Sequence, residues 1–558
     1  MRKTLVPAVL FVATTSLFAQ SLAQSLTEKI DVSLVNVDVT VTSHGTPARG
    51  LTRDDFQVFE DGVARPITNF YAVEPAATTA SHATSPAPAA AATLADPTDE
   101  RFRRKVLVII DNRHVTMHNR DRALAALERF VDDRFTGGTY DWSIALISDK
   151  AHLMLPLTSD KEKLHEAVAT VRRIVANPDR PAAEDVTRLA TLSAFDASDP
   201  SAVKSTKVGA AAGETLRDMA DFETSFQFAA DASRTVEAIR DAVRSFAGAP
   251  GRKIILLVTG SLGLDSFGSP FDTNPGSFLQ GPAVAAQNAR FATVMRDILI
   301  REANASNVSF FIINSEGLTP SSDATNSNSD LGFASSIGRP MDSGNSNQLS
   351  SMYWLARETG GRLMPGNSPE RSLTDFDRAS SSFYSLAYKP AHGDDGKYHT
   401  IKVRINRSGC QLQYRTGYSS IPVTVQLARA MESPLASSMQ QSSIPINLVT
   451  GTSAPQDGGV LVPLHATVAA KNLQFLPTAD GSVARVDLYV SVFDERGRKI
   501  TSNHFTREAH AANGTESDGN FVETRQLLIK RGTPYRVVVA VHDQVTDAIG
   551  ITSKTVRF

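Results

Sequence analysis

The stretch Lys105-Val-Leu-Val-Ile-Ile-Asp111 constrains this chain more than any other. An unbroken apolar run ending in a carboxylate, ahead of a polar loop and an amphipathic helix, is the pattern of a strand buried on both faces of a parallel sheet. Open α/β sheets bind ligands at the carboxyl ends of their strands, so Asp111 falls where such a fold recognises things. Strand and helix patterns alternate from there onward. Leu124, Leu127, Phe130 and Val131 share a helix face; Trp142–Ile147 and His152–Leu155 read as strands. Ser159-Asp-Lys-Glu162 reads as a capping box opening the helix of Leu164, Val168 and Val171. A helical region over 214–246 stops at Gly248 and Pro250-Gly251. Ile254–Val258 and Val308–Ile313 are strands separated by a helix around Phe291–Ile300, and Leu355–Gly361 ends a helix on glycine. The alternation predicts a doubly wound, mainly parallel α/β domain over residues 101–382. The stretches 176–212 and 319–349 lack the pattern and read as surface insertions.

The flanks are β in character. Val35, Val37, Val39 and Val41 alternate with polar residues, and strands Phe56–Phe59 and Ile67–Tyr71 straddle an Asp61-Gly62 turn. Residues 24–74 are too few strands for an independent core and need something else to pack on. Residues 75–100 form an Ala/Pro-rich linker, 383–420 return to strand chemistry, 421–456 read as a second linker, and 457–558 read as a β-sandwich.

At the N-terminus, Arg2 and Lys3 precede the apolar stretch Leu5–Phe18, and Ser21-Leu-Ala23 supplies the small residues of a cleavage site. That is a signal peptide over residues 1–23, implying export to the periplasm or beyond. The single cysteine, Cys410, is remote from that site, so neither a lipid anchor there nor an intramolecular disulfide is expected. No later apolar run approaches the roughly 20 residues of a membrane-crossing helix. A formal charge of −2 supplies no field to gather nucleic acid.

The order Val106–Asp111, Pro156-Leu-Thr-Ser-Asp160, Ile254-Ile-Leu-Leu-Val-Thr259-Gly260 and Leu355–Gly361 resembles the successive elements of a von Willebrand factor A domain. The flanking motifs Asp54-Asp-Phe56-Gln-Val-Phe59-Glu-Asp-Gly62, Tyr384-Ser-Leu-Ala-Tyr388-Lys-Pro390, Gly396-Lys-Tyr-His-Thr-Ile401-Lys-Val-Arg404 and Arg415-Thr-Gly417-Tyr418 resemble exported bacterial VWFA-related proteins of the acidobacterial type. The resemblance spans roughly residues 30–420. It implies a Rossmann-like domain that binds other macromolecules and does not catalyse. It also implies an α/β domain inserted into a β-domain, with 24–74 and 383–420 sharing a core.

In that family the first strand is followed by Asp-x-Ser-x-Ser, and a threonine and a second aspartate from later loops complete a Mg²⁺ site. Here the first motif stands as Asp111-Asn-Arg113-His-Val115, and the fourth-strand position is Thr259-Gly260. One carboxylate without hydroxyl partners is a poor donor set for Mg²⁺ or Ca²⁺, and Arg113 brings positive charge where a cation would sit. No cofactor is expected. Asp111 would instead cap its loop or pair with Arg113, unless Asp265 supplies a second oxygen at the same edge. His114 and His118 have the spacing of a helix-borne metal pair, but no Glu lies between them to act as a base. Ser261 lacks the glycine spacing of a nucleophile elbow. The acidic turns Asp61-Gly62 and Asp394-Asp395-Gly396 are explained by hairpin chemistry, although Ca²⁺ suits such turns too. The expected ligand face is therefore Asp111, Arg113, His114, Thr259, Ser261 and Asp265, with the insertion 319–349 nearby and Arg113 offered directly to a carboxylate of another exported protein. A structural envelope scaffold and a secreted hydrolase with accessory β-domains are the alternatives.

Overall fold

The structure, a computed structural model, describes residues 34–74, 93–99, 102–134, 138–176, 229–246, 251–264, 282–315, 346–435, 444–478, 481–512, 519–546 and 548–557. The signal-peptide stretch, Asp265 and nearly all of both insertions lie outside these residues.

The apolar run forms the strand Arg104–Asp111, buried along its whole length. It lies inside a six-stranded sheet in the order Arg362–Pro365, Val308–Asn314, Arg252–Thr259, Arg104–Asp111, Tyr140–Ile147 and Ala151–Thr158. All neighbours are parallel except the last pair. Because side chains alternate across a strand, Val106, Val108 and Ile110 face one helical layer, and Leu107 and Ile109 face the other. The first layer is Met117–Arg134, Lys161–Arg173 and Pro369–Ser381; the second is the helix over 229–245 with Pro282–Ala305 and Ser346–Glu358. Two details differ from the sequence reading. The helix Lys161–Arg173 is capped one residue later than expected, by Asp160, whose carboxylate accepts from the Lys163 amide at 3.2 Å. The helix Pro369–Ser381 was not foreseen; it starts on a proline and sets Phe376 edge-on to Phe311 at 5.2 Å.

Where Ser346–Glu358 ends, the chain re-enters the sheet through Gly360 and Gly361. A Cβ on Gly361 would stand 1.7 Å from the Phe310 carbonyl oxygen, so only glycine lets Arg362–Pro365 pair with Val308–Asn314. Gly361→Ala is expected to destabilise the domain by about 3 kcal/mol, the upper part of the range for overpacking, because backbone must move. Urea denaturation of the variant against the parent chain reads this directly, and a difference below about 1 kcal/mol would contradict it.

The segments before and after the α/β region form one β-domain. Val35–Ser43 lies antiparallel between Phe383–Tyr388 and Cys410–Gln413, and Phe383–Tyr388 pairs in turn with Ile67–Val73. A second sheet orders Gly417–Ser419, Tyr398–Ile405, Phe56–Glu60 and Val63–Arg65. One core joins Val37, Val39, Phe56, Val58 and Phe70 to Tyr384, Leu386, Tyr388, Ile401 and Val403. The alternating valines of the first segment thus bury their face against strands more than 300 residues later in the chain, as Val37 opposite Leu386 shows. The end of the expected linker is also in this sheet: Thr93–Ala95 runs parallel to Ile67–Val73.

The C-terminal region is a sandwich. Gly459–Ala469 and Asn520–Ile529 pair in one sheet, Gly481–Phe493 and Tyr535–Asp543 in the other, around Val462, Val486, Leu488, Leu527 and Val539. The stretch read as the linker 421–456 contains a helix, Val423–Glu432, whose Leu427 and Met431 pack on Tyr489, Phe493 and Val538. Just beyond it Leu435 joins the core of the α/β domain, and the Ser433 hydroxyl donates to the Asp241 carbonyl at 2.7 Å. Among the described residues no helix is long and apolar enough to cross a membrane.

Candidate functional site

Arg104–Asp111 is the switch point of the sheet. The chain leaves it over one face through Met117–Arg134, while the neighbouring strand Arg252–Thr259 is served by the helices of the opposite face. The crevice at its carboxyl end is where ligands bind in such sheets, and Asp111 lies there, fully buried.

Among the described residues, polar groups of the loops after Asp111 and Thr259 meet at the Asp111 carboxylate. Its Oδ1 accepts the Arg113 amide at 3.1 Å. Its Oδ2 lies 2.7 Å from the Thr259 hydroxyl and 2.8 Å from His114 Nδ1. The other nitrogen of that ring, Nε2, is 3.2 Å from Asp231 Oδ2, on the helix over 229–245. Arg113 completes the ring of contacts: it pairs with Asp231 and donates to the Ser148 carbonyl at 3.1 Å. The Gly260 amide donates to the His114 carbonyl at 2.9 Å, tying the loop after Thr259 to the loop after Asp111. Gly263 (φ +69°) turns that loop past the imidazole in a backbone conformation that favours glycine.

A second, deeper layer fixes the Asp111 loop. Arg120 is 0% exposed and donates to Asn112 Oδ1 at 2.9 Å, the Ile174 carbonyl at 2.6 Å and the Arg172 carbonyl at 3.2 Å. Asn112 in turn donates from Nδ2 to the Val175 carbonyl at 2.7 Å and from its amide to Ile147 at 2.9 Å. The planar guanidinium reaches three acceptors at once, which a lysine cannot do.

A hard cation needs several oxygens converging on one point. Here the His114 ring stands between the two carboxylates, one on each nitrogen, and the Arg113 guanidinium occupies Asp231. These residues do not fit Mg²⁺ or Ca²⁺ at Asp111; the His114 ring and the Arg113 guanidinium take up the carboxylate oxygens that an ion would need.

Of the expected ligand face, the structure brings Asp111, Arg113, His114, Thr259 and Ser261 together, and Asp265 lies outside the described residues. One expectation is corrected: Arg113 does not offer itself to an outside carboxylate, because Asp231 takes it. The paired-histidine idea also changes, since His118 sits exposed in the first turn of Met117–Arg134 while His114 turns inward from the loop. The Ser261 hydroxyl accepts from the Gly263 amide at 2.9 Å, and the adjoining His114 spends both nitrogens on aspartates, so no serine–histidine pair forms there. Asp231, Asn112 and Arg120 were missed by sequence reasoning. The one available signal was an arginine on the apolar face of a helix, beside Ala123, Leu124 and Leu127.

No family model matches the sequence, and no curated relative does either. Solved structures similar to the chain include a von Willebrand factor type A protein from Catenulispora acidiphila, at 10% identity over 95% of this chain and 75% of that one, with a TM-score of 0.22. BatB, a conserved hypothetical protein from Bacteroides thetaiotaomicron, shares 11% identity over 50% of this chain and 98% of its own, with a TM-score of 0.23. The pilus adhesin SpaC from Lactobacillus rhamnosus GG shares 7% identity over 82% of this chain and 57% of its own, at 0.25. Likenesses this slight leave the reading of the site to its own geometry.

Proposed function

We propose that this chain is an exported, non-catalytic binding protein of the von Willebrand factor A-related kind. Its α/β domain recognises other extracytoplasmic proteins at the carboxyl edge of the sheet, without a bridging metal ion. One observation carries the reading: Asp111, the single carboxylate that the degenerate motif keeps, has both oxygens engaged by donors of the same chain. The Asp111–His114–Asp231–Arg113 network then acts as an internal substitute for the ion, holding three loops in a fixed rim against which a partner docks. The half-buried Ser261 lies on that rim.

The test is capture of envelope proteins on the immobilised mature chain, with and without added Mg²⁺ or Ca²⁺. The same partner should be retained in both buffers and lost from Ser261→Arg, which fills the half-buried rim while Asp111, Arg113, His114 and Asp231 keep their side chains. Capture that requires Mg²⁺ or Ca²⁺ and disappears in Asp111→Asn would overturn the proposal. So would turnover on a panel of esters, peptides or glycans that depends on rim residues.

A further inference from the structure

The C-terminal sandwich keeps one edge covered and leaves another open. Its sheet containing Gly481–Phe493 ends on one side at Ile549–Val556 and on the other at Lys499–Ala511. The chain itself blocks the first edge: the Ile444 amide meets the Ile549 carbonyl at 3.4 Å, and a Cβ on Gly550 would stand 2.1 Å from the Ile444 carbonyl oxygen. Lys499–Ala511 runs for 13 residues and, among the described residues, pairs with Gly481–Phe493 alone. A long strand of this kind presents a row of main-chain donors and acceptors to any extended chain that comes alongside.

The register fixes which groups face outward. The Gln544 amide donates to the Arg485 carbonyl at 3.0 Å, so the main chain of Arg485 faces the strand Tyr535–Asp543, and that of Val486 faces Lys499–Ala511. Arg507 lies opposite Val486 and therefore turns its amide and carbonyl inward, while Thr506 and Glu508 turn theirs out. The pairing runs without a shift from Thr501 to Ala511, so Ser502, His504 and His510 also point outward. The Arg507 guanidinium donates to the Thr506 carbonyl at 3.0 Å, which leaves that oxygen its second lone pair. Edge strands are commonly blunted by proline, by bulges, by short length or by inward-pointing charge. Lys499–Ala511 contains no proline, and its one register shift falls at its start. Its inward charge, Arg507, is matched by Glu523, with Nη2 3.3 Å from Oε1.

We infer that Lys499–Ala511 pairs antiparallel with the same strand of a second copy of this chain, about a twofold axis at Thr506, so that two sandwiches share one continuous sheet. The residues of the strand select both the occupant and the register. In an antiparallel pair, residues directly opposite lie on the same face, and like charges opposite each other destabilise. An axis at Arg507 or at Glu508 would set that residue against its own copy. An axis at Thr506 puts Glu508 opposite the partner's His504 and His504 opposite the partner's Glu508. Both side chains are free to meet there, at 46% and 48% exposure. On the other face Arg507 comes opposite the partner's Phe505, where a guanidinium is attracted to an aromatic ring. Each Thr506 amide then donates to the partner's Thr506 carbonyl. The outward main-chain groups of His504 and Glu508, and of Ser502 and His510, extend the pairing on both sides of the axis.

The experiment is light scattering and sedimentation of the mature chain across a hundredfold range of concentration. The parent chain should approach twice the monomer mass as concentration rises, and Thr506→Pro should stay monomeric throughout. The proline removes an amide that Gly481–Phe493 does not use, so circular dichroism and melting should show an intact sandwich. A second readout avoids disruptive variants. In a Cys410→Ser background, Thr506→Cys should close an intermolecular disulfide on mild oxidation, because opposed Cα atoms at a hydrogen-bonded site lie about 5.5 Å apart. His504→Cys alone and Glu508→Cys alone should not cross-link, while a mixture of the two chains should. A chain that stays monomeric across the range, a dimer retained by folded Thr506→Pro, or a dimer that Thr506→Cys fails to cross-link would each overturn the inference. Envelope proteins held by a monomeric parent chain but lost from Thr506→Pro would put a foreign strand on this edge, and would overturn the second copy as its occupant. None of these outcomes bears on the Asp111 rim, so the two proposals fail separately.

Discussion

Replacing Arg120 by methionine is expected to cost the α/β domain about 3–5 kcal/mol, the range of a broken buried charge network. Methionine restores most of the volume, so the loss isolates the polar part. Two main-chain carbonyls, of Ile174 and Arg172, and the Asn112 amide oxygen would lose their donor. Each buried acceptor left without a partner costs about 1–3 kcal/mol. The carboxylate beside it, Asp121 at 3.2 Å, is 42% exposed and finds water instead, so it adds little. Arg120→Lys should recover only part of the loss, because one ammonium cannot reach three divergent acceptors. Urea denaturation followed by tryptophan fluorescence reads the domain selectively, since Trp142 and Trp354 are the only tryptophans and both lie in it. A methionine variant within about 1 kcal/mol of the parent chain would show that the arginine merely fills space. The consequence for function is indirect: Asn112 precedes Arg113 and His114, so a freed Asn112 should loosen the rim even where the domain stays folded.

The sheet was legible in the sequence for a physical reason. Strands buried on both faces carry unbroken apolar runs, so the middles of Arg104–Asp111, Arg252–Thr259 and Val308–Asn314 announce themselves without any knowledge of their neighbours. The alternating valines of Val35–Ser43 were equally plain, and their need for a partner pointed toward the strands after the α/β region. Short amphipathic helices were harder. Pro369–Ser381 carries its buried Leu373 and Phe376 among serines, aspartates and arginines that read as loop. Val423–Glu432 buries Leu427 and Met431 in a stretch that composition alone assigns to a connector. The sites were least legible, because their residues meet only in space. Asp231 reaches His114 from 117 positions away, out of a helix whose periodicity says nothing of that contact. The acidic turn Asp394-Asp395-Gly396 reads as hairpin chemistry that would also suit Ca²⁺; the stacked histidines on its two sides, His392 and His399, appear only once the hairpin is closed.

Asp111→Asn is expected to cost about 3 kcal/mol, and the pattern of its coupling tells an internal network from a vacated metal site. The amide keeps the size of the carboxylate and can still accept the Arg113 amide, now 3.1 Å from Oδ1. It must then turn an NH₂ group toward the Thr259 hydroxyl and the His114 ring, where the carboxylate accepted both. If Asp111 and His114 act as one unit, Asp111→Asn and His114→Gln will be non-additive. The double variant should lose at least about 1 kcal/mol less than the sum of the singles, because each alone already breaks the shared contact. Thr259→Val should couple to Asp111→Asn in the same sense, though less strongly, since the single hydroxyl proton is shared between that oxygen and the Ser261 carbonyl. A metal site makes the opposite forecast. Millimolar Mg²⁺ would raise the melting temperature of the parent chain by mass action, and Asp111→Asn would abolish that rise. The internal network requires the parent chain to melt at the same temperature with or without Mg²⁺ while the variant melts lower in both. A Mg²⁺-dependent rise carried by Asp111 would mean that Arg113 and His114 move aside for the ion, and the rim would then have to be rebuilt around it.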